Sequence, residues 1–286
     1  MKLLITGANG QLGNEIRELA HSYPQYTFLY TDIDELDITN AAEVLAYFGI
    51  HRPDVVINCA AYTAVDKAEA DAETAFLVNA TASGNLARAA QASGCFMVHV
   101  STDYVYDGCN YRPYTESDAV NPASVYGKSK LAGEQEVLQS GARAIIIRTS
   151  WLYSAFGNNF VKTMIKYGRE REALNVVFDQ AGTPTYAFDL AKTILDILPK
   201  AVASRETGIF HYSNEGVTSW YDFAKAIHEL AGINCRVSPI ATKDYPTPAK
   251  RPFFSVLDKS LIRNIFAIEI PYWRDSLKDC IKRLES

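Results

Sequence analysis

The chain has 286 residues, 48% of them hydrophobic and 21% charged, and carries a net charge of −5. Such values exclude a disordered or low-complexity chain, and the length supports a sizeable core without disulfide staples. No basic block points to nucleic acid or an anionic membrane, and no run lacking Asp, Glu, Lys and Arg exceeds 14 residues, short of the ~18 needed to span a bilayer.

Residues 2–6 read as an apolar strand ended by a glycine-rich turn, and 12–20 as a helix. A second strand over 27–31 closes at Asp32, a helix follows over 41–48, and Pro53 introduces the strand 55–58. A long helix is expected over 68–92 with Gly94 as its stop, then buried strands over 95–100 and 144–147. Continuous Val and Ile runs, without alternation, call for a parallel sheet covered by helices on both faces. Past residue 150 the pattern loosens: strands near 174–178 and 209–213, helices near 160–166, 188–198 and 220–231, and a Pro- and Thr-rich loop over 239–252. The five cysteines (Cys59, Cys95, Cys109, Cys235, Cys280) and five histidines show no metal-type spacing, so incidental thiols in a reducing compartment are expected. The N-terminus has no signal-peptide pattern, and a cytoplasmic location is the expectation.

In the turn TGANGQLG the glycines Gly7, Gly10 and Gly13 stand three apart between a strand and a helix. Glycine there permits a tight turn, backbone approach to a pyrophosphate and close helix packing, and the helix N-terminus offers N–H groups to phosphate. Asp32, at the end of the second strand, suits an adenosine ribose hydroxyl and repels a 2′-phosphate, which favours NAD(H) over NADP(H). These features predict a Rossmann-type doubly wound parallel sheet that binds the cofactor over residues 1–150. Residues 151–286 would then form mainly a smaller C-terminal α/β lobe for substrate, interleaved so that some segments return to the sheet.

Tyr126 and Lys130 stand at i and i+4, on one face of a helix. A free tyrosine titrates near pH 10, and an ammonium alongside would bring the phenol toward working pH. Thr102, just past the strand at 95–100, would share a substrate carbonyl oxygen with it.

The segments NCAAYTAVDKAE (58–69), STDYVY (101–106), YGKSKLAGE (126–134), RTSWLY (148–153), GNNF (157–160) and YPTPAKRP (245–252) complete the pattern. On these motifs and the N-terminal turn the chain resembles the extended short-chain dehydrogenase/reductase family from residue 2 to about 258. The resemblance implies an oxidoreductase using NADH or NADPH on a nucleotide sugar, reducing the C4 ketone of a dTDP-6-deoxyhexose at the last step of dTDP-L-rhamnose synthesis. It implies that Gly10, Gln11 and Leu12 meet the pyrophosphate, Asp32 and Ile33 the adenosine, and that Asp37 and Ile38 lie by the adenine. Ala61, Tyr62 and Thr63 would stand near the pyrophosphate and ribose. Thr102 and Asp103 would touch the sugar, Tyr126 would give its proton to O4, and Lys130 would hold the nicotinamide ribose while tuning Tyr126. Trp151 would pack beside the sugar, and Arg251 is a candidate diphosphate partner.

Some members of the family use carboxylates for magnesium at a dimer interface. Glu15 stands at the first such place, but Phe188 occupies the second and Asp189 follows one position late, about 100° round a helix. Magnesium is therefore doubtful, Glu15 is expected to be a solvated helix residue, and a monomer or weak homodimer is expected. Two other functions share the motifs: a sugar-nucleotide epimerase or dehydratase, and a non-catalytic regulatory subunit like the β-subunit of methionine adenosyltransferase.

Overall fold

The computed structural model describes residues 1–204 and 207–285. The first part alternates strand and helix: β1 (Lys2–Thr6), α1 (Gln11–Leu19), β2 (Thr27–Thr31), α2 (Ala41–His51) and β3 (Val55–Asn58). Then come α3 (Val65–Ala68), α4 (Ala72–Phe76), α5 (Ala82–Ser93), β4 (Phe96–Thr102), α6 (Val125–Gln139) and β5 (Ala144–Thr149). The second part holds β6 (Leu152–Tyr153), α7 (Phe160–Glu170), β7 (Ala173–Val177), β8 (Ala181–Gly182), β9 (Thr185–Tyr186), α8 (Ala187–Ser204) and β10 (Gly208–His211). It ends with β11 (Thr218–Ser219), α9 (Trp220–Leu230), β12 (Arg236–Ile240), α10 (Ser260–Phe266) and α11 (Trp273–Glu285).

Six strands form one wholly parallel sheet in the order β10-β5-β4-β3-β1-β2. Their alternate side chains feed two cores. Leu3, Ile5, Val55, Val98 and Ile147 pack under α1, α8 and α10, while Leu4, Val56, Met97 and Ile146 pack under α2, α5 and α6. This is the Rossmann-like α/β architecture, and the order reverses between β1 and β3, where open α/β sheets bind ligands beyond the strand carboxyl ends. Although β10 and α8 lie late in the chain, β10 pairs with β5 and α8 covers the sheet. A third core, from α7, α9, α11, β7 and β12, makes the second lobe.

Two local expectations are corrected. The helix expected over 68–92 starts later, at Ala72, and runs on to Ser93 through a π turn at Leu77–Thr81 that joins α4 to α5. Such a widened turn redirects a side chain without ending the helix; here the side chain is Asn79. The loop expected from 239 begins later, because Pro239 and Ile240 complete β12 opposite Val176 and Val177. Proline is tolerated in this two-stranded pair because its missing N–H falls at an edge. The helices α10 and α11 were not read from the sequence at all.

Candidate active site

A cavity of about 830 Å³ opens between the carboxyl ends of β1, β3, β4 and β5 and the second lobe. One wall is the glycine turn. Gly7 adopts φ +65°, and a Cβ there would stand 2.6 Å from the Ala60 backbone, so only glycine lets β1 and β3 turn side by side. A Cβ on Gly13 would fall 2.6 Å from the Gly7 carbonyl oxygen, which locks α1 against the turn. Gly10, Gln11 and Leu12 face the cavity, and the first turn of α1 has no side-chain cap. A bound anion would meet those open N–H groups. Beside the turn, the Asp32 carboxylate accepts from the Asn9 N–H and the Ile33 N–H, each at 2.9 Å. A bare helix start, a glycine turn pressed on β3 and a carboxylate at the β2 end together fit a dinucleotide.

Ala61 and Thr63 also line the cavity; Ile33, Asp37, Ile38 and Tyr62 do not. Ile33 is 72% exposed, Ile38 belongs to the core under α2, and Asp37 spends one oxygen on Thr39. Tyr62 contributes its backbone, which is clamped from both sides by the Asn79 amide at 2.8 and 3.1 Å. Asn79 also donates to Ser129, whose hydroxyl donates to the Tyr126 carbonyl. The π turn thus ties the loop after β3 to the helix carrying the tyrosine. No spacing rule would have picked out Asn79.

Opposite the glycine turn, Ser124 caps α6 and sets Tyr126 in its first turn, facing Thr102 at the end of β4. The Thr102 hydroxyl donates to Asp103 Oδ1 at 2.9 Å and accepts the Tyr104 N–H at 3.2 Å. The ring of Tyr104 packs edge-on against Tyr126 at 5.5 Å. Lys130 is 2% exposed and donates to the Val100 carbonyl at 2.7 Å. Burial lowers its pKa to about 8, against the pull of Glu134 and Cys59.

The expected downward tuning of Tyr126 is reversed. Burial pushes the phenol well above 10, the Thr102 hydrogen bond acts the other way, and Asp103 and Tyr104 add to the rise. Desolvation of a phenolate outweighs an ammonium that points to a backbone carbonyl. The phenol therefore keeps its proton at neutrality.

Behind β4 a buried pair fixes this geometry. Arg148 grips Glu134 through two bonds of 2.9 and 2.6 Å, and Ser101 donates to the same carboxylate. Arg148 also donates to the Tyr106 hydroxyl, which is hydrogen-bonded to His211 Nε2; burial lowers the His211 pKa to about 4 and keeps the ring neutral.

The far wall is aromatic. Trp151 adopts φ +48° and stacks on Trp220 at 3.6 Å, with Phe160 at 4.7 Å from Trp220. A left-handed backbone at a bulky residue is strained and is held by its surroundings. A Cβ on Gly182 would meet the Trp151 indole at 2.6 Å, so that glycine makes room for the stack. At the mouth, Arg251 pairs with Asp66 at 2.5 Å and donates to the Tyr104 hydroxyl at 3.2 Å, drawing the loop 245–252 onto the sheet side.

Glu15 is not solvated. It is 0% exposed, accepts from Ser154 at 2.6 Å and pairs with Arg283 at 2.9 Å, whose guanidinium also lies over Phe188. A cation from the last helix thus satisfies this carboxylate. Asp189 accepts from Asn214 and Ser276. Among the described residues, no group of three or more His, Cys, Asp or Glu could hold a metal ion.

The model of the RmlD substrate binding domain family matches residues 1–286. The chain belongs to this family. Among relatives of this RmlD-type chain, the dTDP-4-dehydrorhamnose reductase of Aggregatibacter actinomycetemcomitans is 43% identical, with 97% of each chain covered. A crystal structure of a dTDP-4-dehydrorhamnose reductase from Clostridium acetobutylicum superposes with TM-score 0.95 at 46% identity over all of both chains. The Bacillus anthracis dTDP-4-dehydrorhamnose reductase, in complex with NADP, gives TM-score 0.93 at 39% identity over 99% of each chain.

Proposed function

We propose that the chain uses NADH or NADPH to reduce the C4 ketone of dTDP-4-dehydro-6-deoxy-L-mannose to dTDP-L-rhamnose. The observation that carries this reading is Tyr126 beside Thr102, facing a cofactor-type glycine turn across one cavity. The full-length relatives named for this reaction support it. The bound nicotinamide supplies the hydride. Gly10, Gln11, Leu12, Ala61 and Thr63 would hold its pyrophosphate and ribose, with Gly7 and Gly13 shaping the turn and Asp32 on the adenosine ribose. Lys130 fixes the α6 end of the site, Thr102 orients the substrate oxygen, and Tyr126 gives it a proton. Trp151 and Arg251 are assigned to the sugar and the diphosphate. In this reading residues 1–150 carry the cofactor and 151–286 mainly the substrate, in a monomer or weak homodimer in the cytoplasm. Among the described residues no helix is long and apolar enough to cross a membrane.

A reductase consumes its cofactor. Adding the 4-keto sugar should therefore deplete reduced nicotinamide absorbance mole for mole with the 4-hydroxy product. Conversion of the sugar without net oxidation would replace this reading with an epimerase, and neither change would leave a regulatory subunit.

Cofactor choice gives a second measurement. NADH should bind at least as well as NADPH, and Asp32→Ala should shift the ratio of the two dissociation constants toward NADPH by roughly tenfold, the effect of about 1.4 kcal/mol. A strong wild-type preference for NADPH in fluorescence titration would remove Asp32 from the ribose.

A further inference from the structure

We propose that Tyr104 is a positioning residue with two ends: its hydroxyl sets Arg251 for the diphosphate of the nucleotide sugar, and its ring holds Tyr126 where the ketone is reduced. The inference rests on the reductase reading and on the place of Arg251 within it. Asp66, Thr102, Tyr104, Tyr126 and Arg251 all line the one cavity, so both ends face the same bound molecule.

The guanidinium is held from two elements. Arg251 Nη2 pairs with Asp66 on α3 at 2.5 Å, and Nη1 donates to the Tyr104 hydroxyl, just past β4, at 3.2 Å. Asp66 also accepts the Ala249 N–H at 3.2 Å, so the loop carrying Arg251 is pinned twice on α3. The Asp66 side chain is 40% exposed, and a single exposed ion pair fixes little. The Tyr104 bond supplies the second point that sets the plane of the fork. A guanidinium has five N–H groups. Asp66 and Tyr104 take two, and no other partner among the described residues takes the remaining three. A fork fixed before the anion arrives loses less rotamer freedom on binding than one gathered in from solvent.

The rest of Tyr104 reaches the reacting end. Its ring meets Tyr126 at 5.5 Å and 75°, the edge-to-face arrangement that aromatic pairs favour. Its N–H donates to the Thr102 hydroxyl at 3.2 Å. A Cβ on Gly127 would collide with its carbonyl, so the first turn of α6, which carries Tyr126, rests directly on this backbone. One residue therefore touches the anion-side cation and both groups assigned to the ketone. Hydroxyl and ring can be removed separately, which makes the two ends testable one at a time.

Tyr104→Phe removes the hydroxyl and keeps the ring. It should raise the KM for the dTDP-4-keto sugar and the calorimetric Kd for dTDP by ~3–10-fold, the effect of one long side chain left unordered, with kcat within ~2-fold of wild type. NADH affinity should not change. In an Arg251→Met background the same substitution should weaken dTDP no further, because the hydroxyl acts through the guanidinium. Tyr104→Leu removes the ring as well and should add a fall in kcat of at least ~10-fold, as Tyr126 loses the partner that aims it. A Kd for dTDP that Tyr104→Phe leaves unchanged, or one that it raises equally with and without Arg251, would overturn the proposal. So would equal losses of kcat in the Phe and Leu variants. The Phe and Met cycle decides the hydroxyl end even if the Leu variant does not fold. No NADH oxidation by wild type would remove the reductase reading, whereas a failed cycle in an active enzyme removes this inference alone.

Discussion

Tyr126→Phe should lower turnover by ~10²–10⁴-fold, about 3–5 kcal/mol of transition-state stabilisation, while NADH binding is unchanged. The substitution removes one oxygen and leaves the ring against Tyr104, so the shape of the wall survives. The oxygen matters because it holds a proton that its surroundings prevent from leaving at neutrality. An alkoxide forming at O4 is a far stronger base than solvent-exposed groups and accepts that proton as charge develops. Steady-state rates and NADH fluorescence titration measured side by side separate catalysis from binding. A variant as fast as wild type would take the proton-donor role away from this tyrosine.

Arg148→Met should destabilise the fold by ~3–5 kcal/mol and lower the midpoint of thermal unfolding by roughly 6–20 °C. Both partners of the Arg148–Glu134 pair are nearly inaccessible, at 3% and 1% side-chain exposure. Removing the guanidinium strands a carboxylate whose remaining named partner is the Ser101 hydroxyl. The damage lies in the orphaned charge, so adding Glu134→Gln to the variant should restore part of the midpoint. A single variant as stable as wild type would show that water or another cation reaches Glu134. Because Ser101 precedes Thr102, the single variant should also slow the reductase more than its stability loss explains at temperatures where it is folded.

Strand ends and turns were legible because their causes are local. The runs at 2–6, 27–31 and 55–58 are strands in the structure with those same bounds, since each is a short apolar stretch between turn residues. The glycine turn was equally plain. So was the one-face placement of Tyr126 and Lys130, which the helix period sets. The structure brings Gly10, Thr102, Tyr126, Lys130, Trp151 and Arg251 to one cavity.

Tertiary structure decided what those groups are chemically. Glu15 looks like a surface residue until Arg283, 268 positions away, is folded onto it. Asn79 reads as an ordinary helical position, and the π turn makes it a clamp between the loop after β3 and α6. Trp220 sits behind a plain serine cap and becomes half of the aromatic wall only when α9 meets Trp151. The direction of the Tyr126 shift depends on how much water the cavity removes and where Lys130 points, neither of which a spacing of four residues contains. Local periodicity assigns backbone and facing direction, because both follow from neighbours along the chain. Protonation, charge pairing and strain follow from neighbours across space, and only the folded chain supplies those.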